Sequence, residues 1–445
     1  MSYKEYKKLD LPEVGNRILD FWTKESVFEK SVESREGRPT FTFYEGPPSA
    51  NGLPGIHHVM ARTIKDIFCR YKTLKGFQVK RKGGWDTHGL PIELSVEKTL
   101  GITKEDIGTK ISIEDYNKAC RREVMKYKEV WDDLTRKMGY WVDLDHPYIT
   151  FENNYIESVW SLLSKLYAKN LLYKGYTIQP YSPAAGTGLS SHELNQPGTY
   201  RMVKDTSAVA QFRVKREPNA DFLFSKTAMD VYILAWTTTP WTLPSNCALA
   251  VGKKIEYVLV ETYNPYTFLP VAVVLAKDLL PKYFSDKQNE IAFNEYEAGG
   301  KLIPWRIVAN FSGADMLGLN YEQLMPYVQP EGKAFTVIPG DFVTTDDGTG
   351  IVHTASVFGA DDFRVCNENG ISSILVKDEA GSTTPLVDKR GRFVKEVTDY
   401  ANEFVKEDYL SAEEKEAEKI KQGRDKYLSV DERIAIQLKK ENKAF

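Results

Sequence analysis

No stretch of the 445-residue chain approaches the roughly eighteen consecutive apolar residues that a membrane-crossing helix requires. Met1-Ser2-Tyr3-Lys4-Glu5-Tyr6-Lys7-Lys8 has no apolar run behind it to serve as a targeting segment. These absences predict a cytoplasmic protein with no membrane partner. Cysteine is scarce as well: Cys69, Cys120, Cys247 and Cys366 are too scattered for a zinc knuckle, and four in so long a chain do not make a secreted disulfide framework. They are expected to be reduced and buried. An excess of one charge is also missing, since 59 basic and 62 acidic side chains leave a formal net charge of −3 and no global electrostatic signature of nucleic-acid binding. Two local basic clusters remain, Lys72, Lys75, Lys80, Arg81 and Lys82, then Arg121, Arg122, Lys126 and Lys128. Either can meet phosphates or be an ordinary solvated face.

What is present is an ordinary globular composition, 42% hydrophobic and 27% charged, in a chain too long for one core. Phe41-Thr42-Phe43-Tyr44 is aromatic and β-prone and is followed at once by breakers. From Val59 the period changes: Met60, Ile64, Ile67, Phe68, Tyr71 and Leu74 fall at helical steps, with Gly76 placed to end the helix. Phe77-Gln78-Val79-Lys80 then fits a second strand. The order strand, Gly/Pro loop with two histidines, helix, strand predicts the first crossover of a doubly wound parallel sheet. Its loop, Gly46-Pro47-Pro48-Ser49-Ala50-Asn51-Gly52-Leu53-Pro54-Gly55-Ile56-His57-His58, would lie at the carboxyl edge of the sheet. Backbone N–H groups and a helix dipole meet there, so His57 and His58 would face an anion such as a triphosphate. Two adjacent loop histidines can equally be plain polar residues. In Gly84-Trp85-Asp86-Thr87-His88-Gly89-Leu90-Pro91-Ile92-Glu93, Asp86 is a candidate carboxylate for a substrate ammonium group, and a buried aromatic with a helix cap is the alternative.

Ser112 to Lys174 reads mostly helical, with Tyr155, Ile156, Val159, Leu162, Leu163 and Leu166 in one stripe. Past Gly186 the texture turns β-rich, at Thr206 to Val214, Val231 to Thr237, Tyr257 to Glu261 and Val271 to Leu275. Two segments stand out there: Trp236-Thr237-Thr238-Thr239-Pro240-Trp241-Thr242-Leu243-Pro244-Ser245-Asn246, and Gly348 to Asp362 with His353 inside it. The carboxyl end is charged and helical, with one narrow stripe at Tyr427, Val430, Ile434 and Leu438. Boundaries are expected at 1–185 for a helical segment and half a nucleotide-binding domain, 186–395 for a β-rich insertion, and 396–445 for a charged return segment.

The first loop resembles the signature loop of class I aminoacyl-tRNA synthetases, whose usual order is His, any residue, Gly, His. Aligned on Pro54, this chain reads Gly55, Ile56, His57, His58: the second histidine is kept, and the first histidine and the glycine are exchanged. The Gly84 to Glu93 stretch is similar to the form found in the isoleucine branch, and Trp236 to Asn246 and Gly348 to Asp362 resemble its editing insertion. The resemblance covers nearly the whole chain. It implies an α/β fold, the first half of a class I doubly wound, Rossmann-like nucleotide-binding domain with an inserted β-rich editing domain. It implies ATP with Mg2+, isoleucine and tRNA(Ile) as substrates, and valine or valyl-tRNA in the editing site. By resemblance, the backbone of Gly46 and Pro47 lines the isoleucine pocket, Asp86 holds the α-amino group, and Pro48, Asn51, Gly52 and Gly55 form the ATP loop. His57 supplies the phosphate contact of the displaced histidine, while His58 keeps its own. In the insertion, Asp362 would hold the ammonium of a misplaced valine, His353 would shape the wall beside its side chain, and Thr238, Thr239 and Asn246 would position the ester and water. Some relatives carry a Cys-x-x-Cys pair where this chain has Ser182 and Ala185, so no zinc or other protein-bound metal is expected. Nothing resembles the family's Lys-Met-Ser-Lys-Ser loop; the chain is therefore expected to be an amino-terminal portion, unable to aminoacylate alone. A free-standing editing hydrolase and a noncatalytic tRNA-binding module remain as other classes.

Overall fold

The computed structural model describes residues 8–445 apart from Pro47, Glu290, Ile291 and Ala380, and the chain divides into two compact units, one ending at Gly175 and the other spanning Tyr176–Phe445. The first opens with helices α1 (Leu11–Lys24) and α2 (Val27–Glu33), α1 being capped by the Asp10 carboxylate, which accepts from the Glu13 N–H. Strand β1 (Thr40–Tyr44), helix α3 (Ile56–Leu74) and strand β2 (Gln78–Trp85) follow as a parallel crossover, with Phe41 opposite Val79. Helices α4 (Leu90–Leu100), α5 (Ile113–Val124) and α6 (Lys128–Lys137) lead to strand β3 (Asp143–Ile149) on the far side of β2, and α7 (Asn153–Ala168) comes after it. The sheet order β1-β2-β3 is parallel throughout, as half of a doubly wound sheet requires.

Two details depart from the sequence pattern. The reading of 112–174 as mostly helical misses β3, which carries two aspartates and a proline; it is a strand because Tyr148 and Ile149 pair with Gly84 and Trp85, a tertiary effect that overrides local propensity. Helix α3 ends at Gly76, φ +87, as its position suggests, yet its apolar stripe of Met60, Ile64, Ile67, Phe68, Tyr71 and Leu74 is exposed. Its buried side carries Arg62, Cys69 and Thr73: Arg62 donates to Thr135, and Arg81 donates to the Thr73 hydroxyl. Arg81, counted in a basic cluster, is thereby buried against Thr73 and Asp66, and Lys126 and Lys128 pair with Glu123 and Asp132.

The second unit holds strands β4 (Ala208–Arg213), β5 (Val231–Thr237), β6 (Ala248–Val251), β7 (Glu256–Tyr263), β8 (Pro270–Ala276), β9 (Arg306–Ser312), β10 (Thr336–Pro339) and β11 (Ile351–Thr354). One sheet runs β9-β7-β8-β5-β4 and another β10-β6-β11. Near-continuous apolar runs such as Val231 to Ala235 and Val271 to Ala276 are buried, as strands covered on both faces demand. Helix α8 (Ala360–Glu368) packs Val365 and Cys366 on the second sheet beside Cys247 and Ile338. Helix α9 (Ala412–Lys421) is charged and without a buried residue, whereas α10 (Val430–Lys440) buries Val430, Ile434 and Leu438 in the main core. Beyond α10 the tail pairs with β4: the Gln211 N–H bonds the Lys443 carbonyl and the Phe445 N–H that of Val209. Residues 430–445 are thus packed into the second unit. Among the described residues, no helix is long and apolar enough to cross a membrane.

Candidate functional site

In the first unit the Gly/Pro loop leaves the carboxyl end of β1 and enters α3 through Gly55, whose extended backbone (φ −109) makes it the N-cap. The His58 Nδ1, at the third helical position, accepts the Gly55 N–H at 2.9 Å, the part a glutamate plays in a capping box. Nδ1 being the acceptor, Nε2 carries the ring proton. Burial first, then neighbouring His57 and Arg62, hold the His58 pKa below its usual value, so this ring meets an anion as a neutral N–H donor. His57 is exposed with its centroid 3.8 Å from that of His58. A Cβ built on Gly55 would lie 3.0 Å from His57 Nδ1 and 2.9 Å from its Cε1, so the His57 imidazole fills the space beside position 55 that a side chain there would enter.

A cleft of about 390 Å³ opens beside this loop, lined by Gly46, Pro48, Ser49, Asn51, Gly52 and His58 together with Arg62, Lys65, Glu45 and Trp131. Gly55 and His57 stand outside that lining; Pro47 lies outside the described residues. The four partners Glu45, Arg62, Lys65 and Trp131 escaped the sequence reading. Arg62 and Lys65 repeat His58 at helical steps, a signal that was available; Glu45 and Trp131 had none. Glu45 is buried at the floor, where its carboxylate accepts from Lys65 Nζ at 2.6 Å and from the Tyr140 hydroxyl. Trp131 donates to the Gly52 carbonyl at 2.9 Å and sets its ring edge against His58. Arg62 is buried between the rings of Trp131 and Tyr140, its Nε 4.0 Å from the Glu45 carboxylate, so two cations, Arg62 and Lys65, stand against the single carboxylate of Glu45 in the cleft wall. Phosphate oxygens suit such a wall. Among the described residues no group of three metal-ligating side chains gathers.

The second motif reaches the same loop through its backbone: the Asp86 N–H bonds the Pro48 carbonyl at 3.1 Å, placing Asp86 just past the end of β2. Its exposed carboxylate accepts only the His88 N–H, at 3.3 Å, among the bonds seen, and Trp85 beneath it is buried against Trp131 and Ala50.

In the second unit the two conspicuous segments meet around His353 on β11. Thr242 Oγ1 lies 2.8 Å from His353 Nε2, and Asn246 Nδ2 lies 3.0 Å from Nδ1. The Asn246 amide also donates to the Ala248 carbonyl, and its oxygen accepts from the Tyr321 hydroxyl at 2.7 Å. With Asn246 donating, Nδ1 is the acceptor and Nε2–H donates to Thr242, whose own hydroxyl donates to the Thr239 carbonyl. Burial pushes the His353 pKa down to about 4, so the ring is neutral at physiological pH with both nitrogens engaged. Thr239 is half-buried, its hydroxyl 3.3 Å from those of Thr237 and Thr242, while Thr238 is exposed. Asp362, in the first turn of α8, accepts the Ala355 N–H at 2.9 Å, two residues after His353. Burial, then Asp361, raises its pKa against that hydrogen bond, so an incoming ammonium group would relieve a carboxylate poorly served by solvent. The Trp241 ring lies edge-on to Phe358 and joins the threonine turn to the loop before Asp362. Thr242 and Tyr321 were not singled out from sequence; Thr242 belongs to the threonine-rich run, and Tyr321 is met only in the fold. Where this chain lacks a cysteine pair, Ser182 Oγ accepts from the Ala185 N–H.

A family model described as tRNA synthetases class I (I, L, M and V) matches residues 17–425, and the chain belongs to that family. Isoleucine–tRNA ligase of Cytophaga hutchinsonii is 69% identical over the whole chain, which spans 39% of that relative. The ligase of the same name from Bacteroides thetaiotaomicron is 56% identical, again over the whole chain and 40% of the relative, and that from Clostridium tetani is 45% identical over 87% of the chain and 34% of the relative. The chain therefore spans about two fifths of the length of the first of these curated relatives. Among solved structures, the Plasmodium knowlesi cytosolic leucyl-tRNA synthetase editing domain aligns with 55% of this chain and 97% of its own, at 14% identity and a TM-score of 0.33.

Proposed function

We propose that the complete protein is an isoleucine–tRNA ligase, activating isoleucine with ATP, transferring it to tRNA(Ile), and hydrolysing valyl-tRNA in the second unit described here. The observation that carries this reading is the union of Thr242, Asn246 and His353 with Asp362 close behind, because it joins the two editing-like segments into one polar wall. Isoleucine and valine differ by one methylene, which in this enzyme family is known to secure only about a hundredfold discrimination. A second, hydrolytic site is the chemical remedy.

In that site the Asp362 carboxylate holds the valine ammonium, and neutral His353 walls the side-chain pocket. Both His353 nitrogens are occupied, so it abstracts no proton. Thr238 and Thr239 position the ester and a water, whose oxygen bonds to the ester carbonyl carbon while the bond to the ribose oxygen breaks and that oxygen takes up a proton. Asn246 contributes by holding His353, its amide being committed to that ring, to Ala248 and to Tyr321. In the first unit, Asp86 takes the amino group of isoleucine, the Gly46–Gly55 loop receives ATP, and His57, His58, Arg62 and Lys65 meet its phosphates. In-line attack by the isoleucine carboxylate on the α-phosphate forms the adenylate and releases pyrophosphate.

The test is hydrolysis of valyl-tRNA(Ile) by the 445-residue chain and by its Asp362→Ala variant. Loss of a positioned carboxylate is expected to slow turnover by about a hundredfold. Hydrolysis that survives the substitution removes Asp362 from the site, and an unaltered tRNA affinity without any turnover in the parent chain would favour a noncatalytic tRNA-binding module.

A further inference from the structure

Pro240 has no N–H, and the Thr242 N–H is bonded to the Thr239 carbonyl, so the first turn of the short 3-10 helix Pro240–Ser245 leaves the Trp241 N–H needing an acceptor. That acceptor comes from 190 residues along the chain: Asp431 Oδ1, at 2.8 Å. Asp431 occupies the second position of α10 and is only 2% exposed. Its own helix has no need of it, since Ser429 and Glu432 form a complete capping box there. The second carboxylate oxygen is held by Lys406 Nζ at 2.7 Å, and Lys406 is steadied in turn by Asp205 at 2.6 Å. Both oxygens are therefore fixed, and the carboxylate is aimed at one peptide.

That peptide carries Thr239 and Thr242 on one side and the Trp241 ring on the other. Resting on the functional reading above, we propose that Asp431, braced by Lys406, is a positioning residue of the hydrolytic site. It touches neither ester nor water. It sets the height of the threonine turn against His353 and of Trp241 against Phe358, so the groups that orient the ester depend on a side chain from the return segment rather than from the insertion itself. A burial cost for an ionised carboxylate, partly offset by the lysine, is tolerated at this place.

The test compares steady-state hydrolysis of valyl-tRNA(Ile) by the intact 445-residue chain and its Asp431→Ala, Asp431→Asn and Ile434→Ala variants. Asp431→Ala is expected to lower kcat by about tenfold to a hundredfold, as a displacement near 1 Å does, with KM within about twofold of the parent. Asp431→Asn keeps an oxygen for the Trp241 N–H and recovers most of that loss. Ile434→Ala weakens the same helix but removes no hydrogen bond to the turn, and it is expected to leave kcat unchanged in its folded fraction, which separates positioning from stability. Should Asp431→Ala fail to fold, Lys406→Met, which frees one carboxylate oxygen, is expected to lower kcat in the same direction by a smaller factor. Parent-like kcat in Asp431→Ala, or in Lys406→Met when that variant stands in, overturns the inference, as does an equal fall in Asp431→Asn and Asp431→Ala. A parent chain that hydrolyses no valyl-tRNA instead overturns the functional reading on which it rests.

Discussion

His353 shows how burial and hydrogen bonding decide a side chain's role. Its two ring nitrogens face Thr242 and Asn246, and burial places its pKa near 4 against an ordinary 6.5. Because the unfolded chain binds the proton more tightly, stability is fully present above about pH 6.5 and is lost as pH falls towards the folded value. Between pH 7 and pH 5 this one group is expected to cost the second unit about 2 kcal/mol. Denaturant unfolding at the two pH values, compared with a His353→Gln variant, isolates it: the parent falls by that amount more than the variant. A parallel pH dependence in both would show that His353 is already charged or exposed. In the first unit, His57 and His58 differ in kind. His58 is fixed by the Gly55 N–H, whereas the His57 ring occupies the space beside position 55. If that ring replaces the usual first histidine, His57→Ala and His58→Ala in the complete enzyme should each slow isoleucine-dependent pyrophosphate exchange by about a hundredfold or more, the loss that goes with one transition-state donor. An unchanged rate in His57→Ala would leave His58, Arg62 and Lys65 as the whole phosphate contact.

At the scale of elements, α10 carries more of the core than its composition suggests. Ile434 and Leu438 are fully buried among the residues that join β4, β5 and β7, and each side of the helix end is capped or charge-matched. Ile434→Ala is expected to destabilise the second unit by about 3 kcal/mol through lost transfer energy and the cavity left behind. Differential scanning calorimetry checks it, and a loss under about 1 kcal/mol would mean the site collapses onto the gap. The stripe of α10 could be read from its spacing, but not its depth, because burial comes from strands far earlier in the sequence. The same division holds across the chain. Strand β1, helix α3 and the histidine loop between them were legible, since an aromatic β run, breakers and a helical period follow one another locally. Asp86, His353 and Asp362 were singled out through the resemblance of the segments that carry them. Strand β3 was not legible, because it exists by pairing with β2; the outward face of α3 was not, because sequence period says which residues share a face and nothing about what covers it. Glu45, Trp131, Tyr321 and Asp431 were silent for the same reason: each acts through a partner at least 75 residues away, as Tyr321 does on Asn246.

For the whole molecule the question is which activity each unit can support alone. Residues 171–180 carry no regular structure, and Tyr173 and Tyr176 within them are among the most exposed aromatics of the chain. Proteases cut such segments first. Limited chymotrypsin digestion is therefore expected to cleave after Tyr173 or Tyr176 and release the remainder of the chain as a cooperatively folding domain, since its core and tail pairings all lie within it. If the editing reading is right, that piece keeps valyl-tRNA hydrolysis, at a higher KM because part of the tRNA contact is gone. The first unit has the opposite prospect. Strand β1 lies at the end of its sheet, and the apolar stripe of α3 is exposed. If the ligase reading is right, the cleft beside His58 is one wall of a site whose other wall comes from further strands of a doubly wound domain. Isoleucine-dependent pyrophosphate exchange is expected to be absent from the 445-residue chain at enzyme concentrations where the complete ligase turns over readily. Robust exchange by the chain would show that Arg62, Lys65 and the two histidines orient ATP without the missing wall, and the half-site assignment would have to be given up.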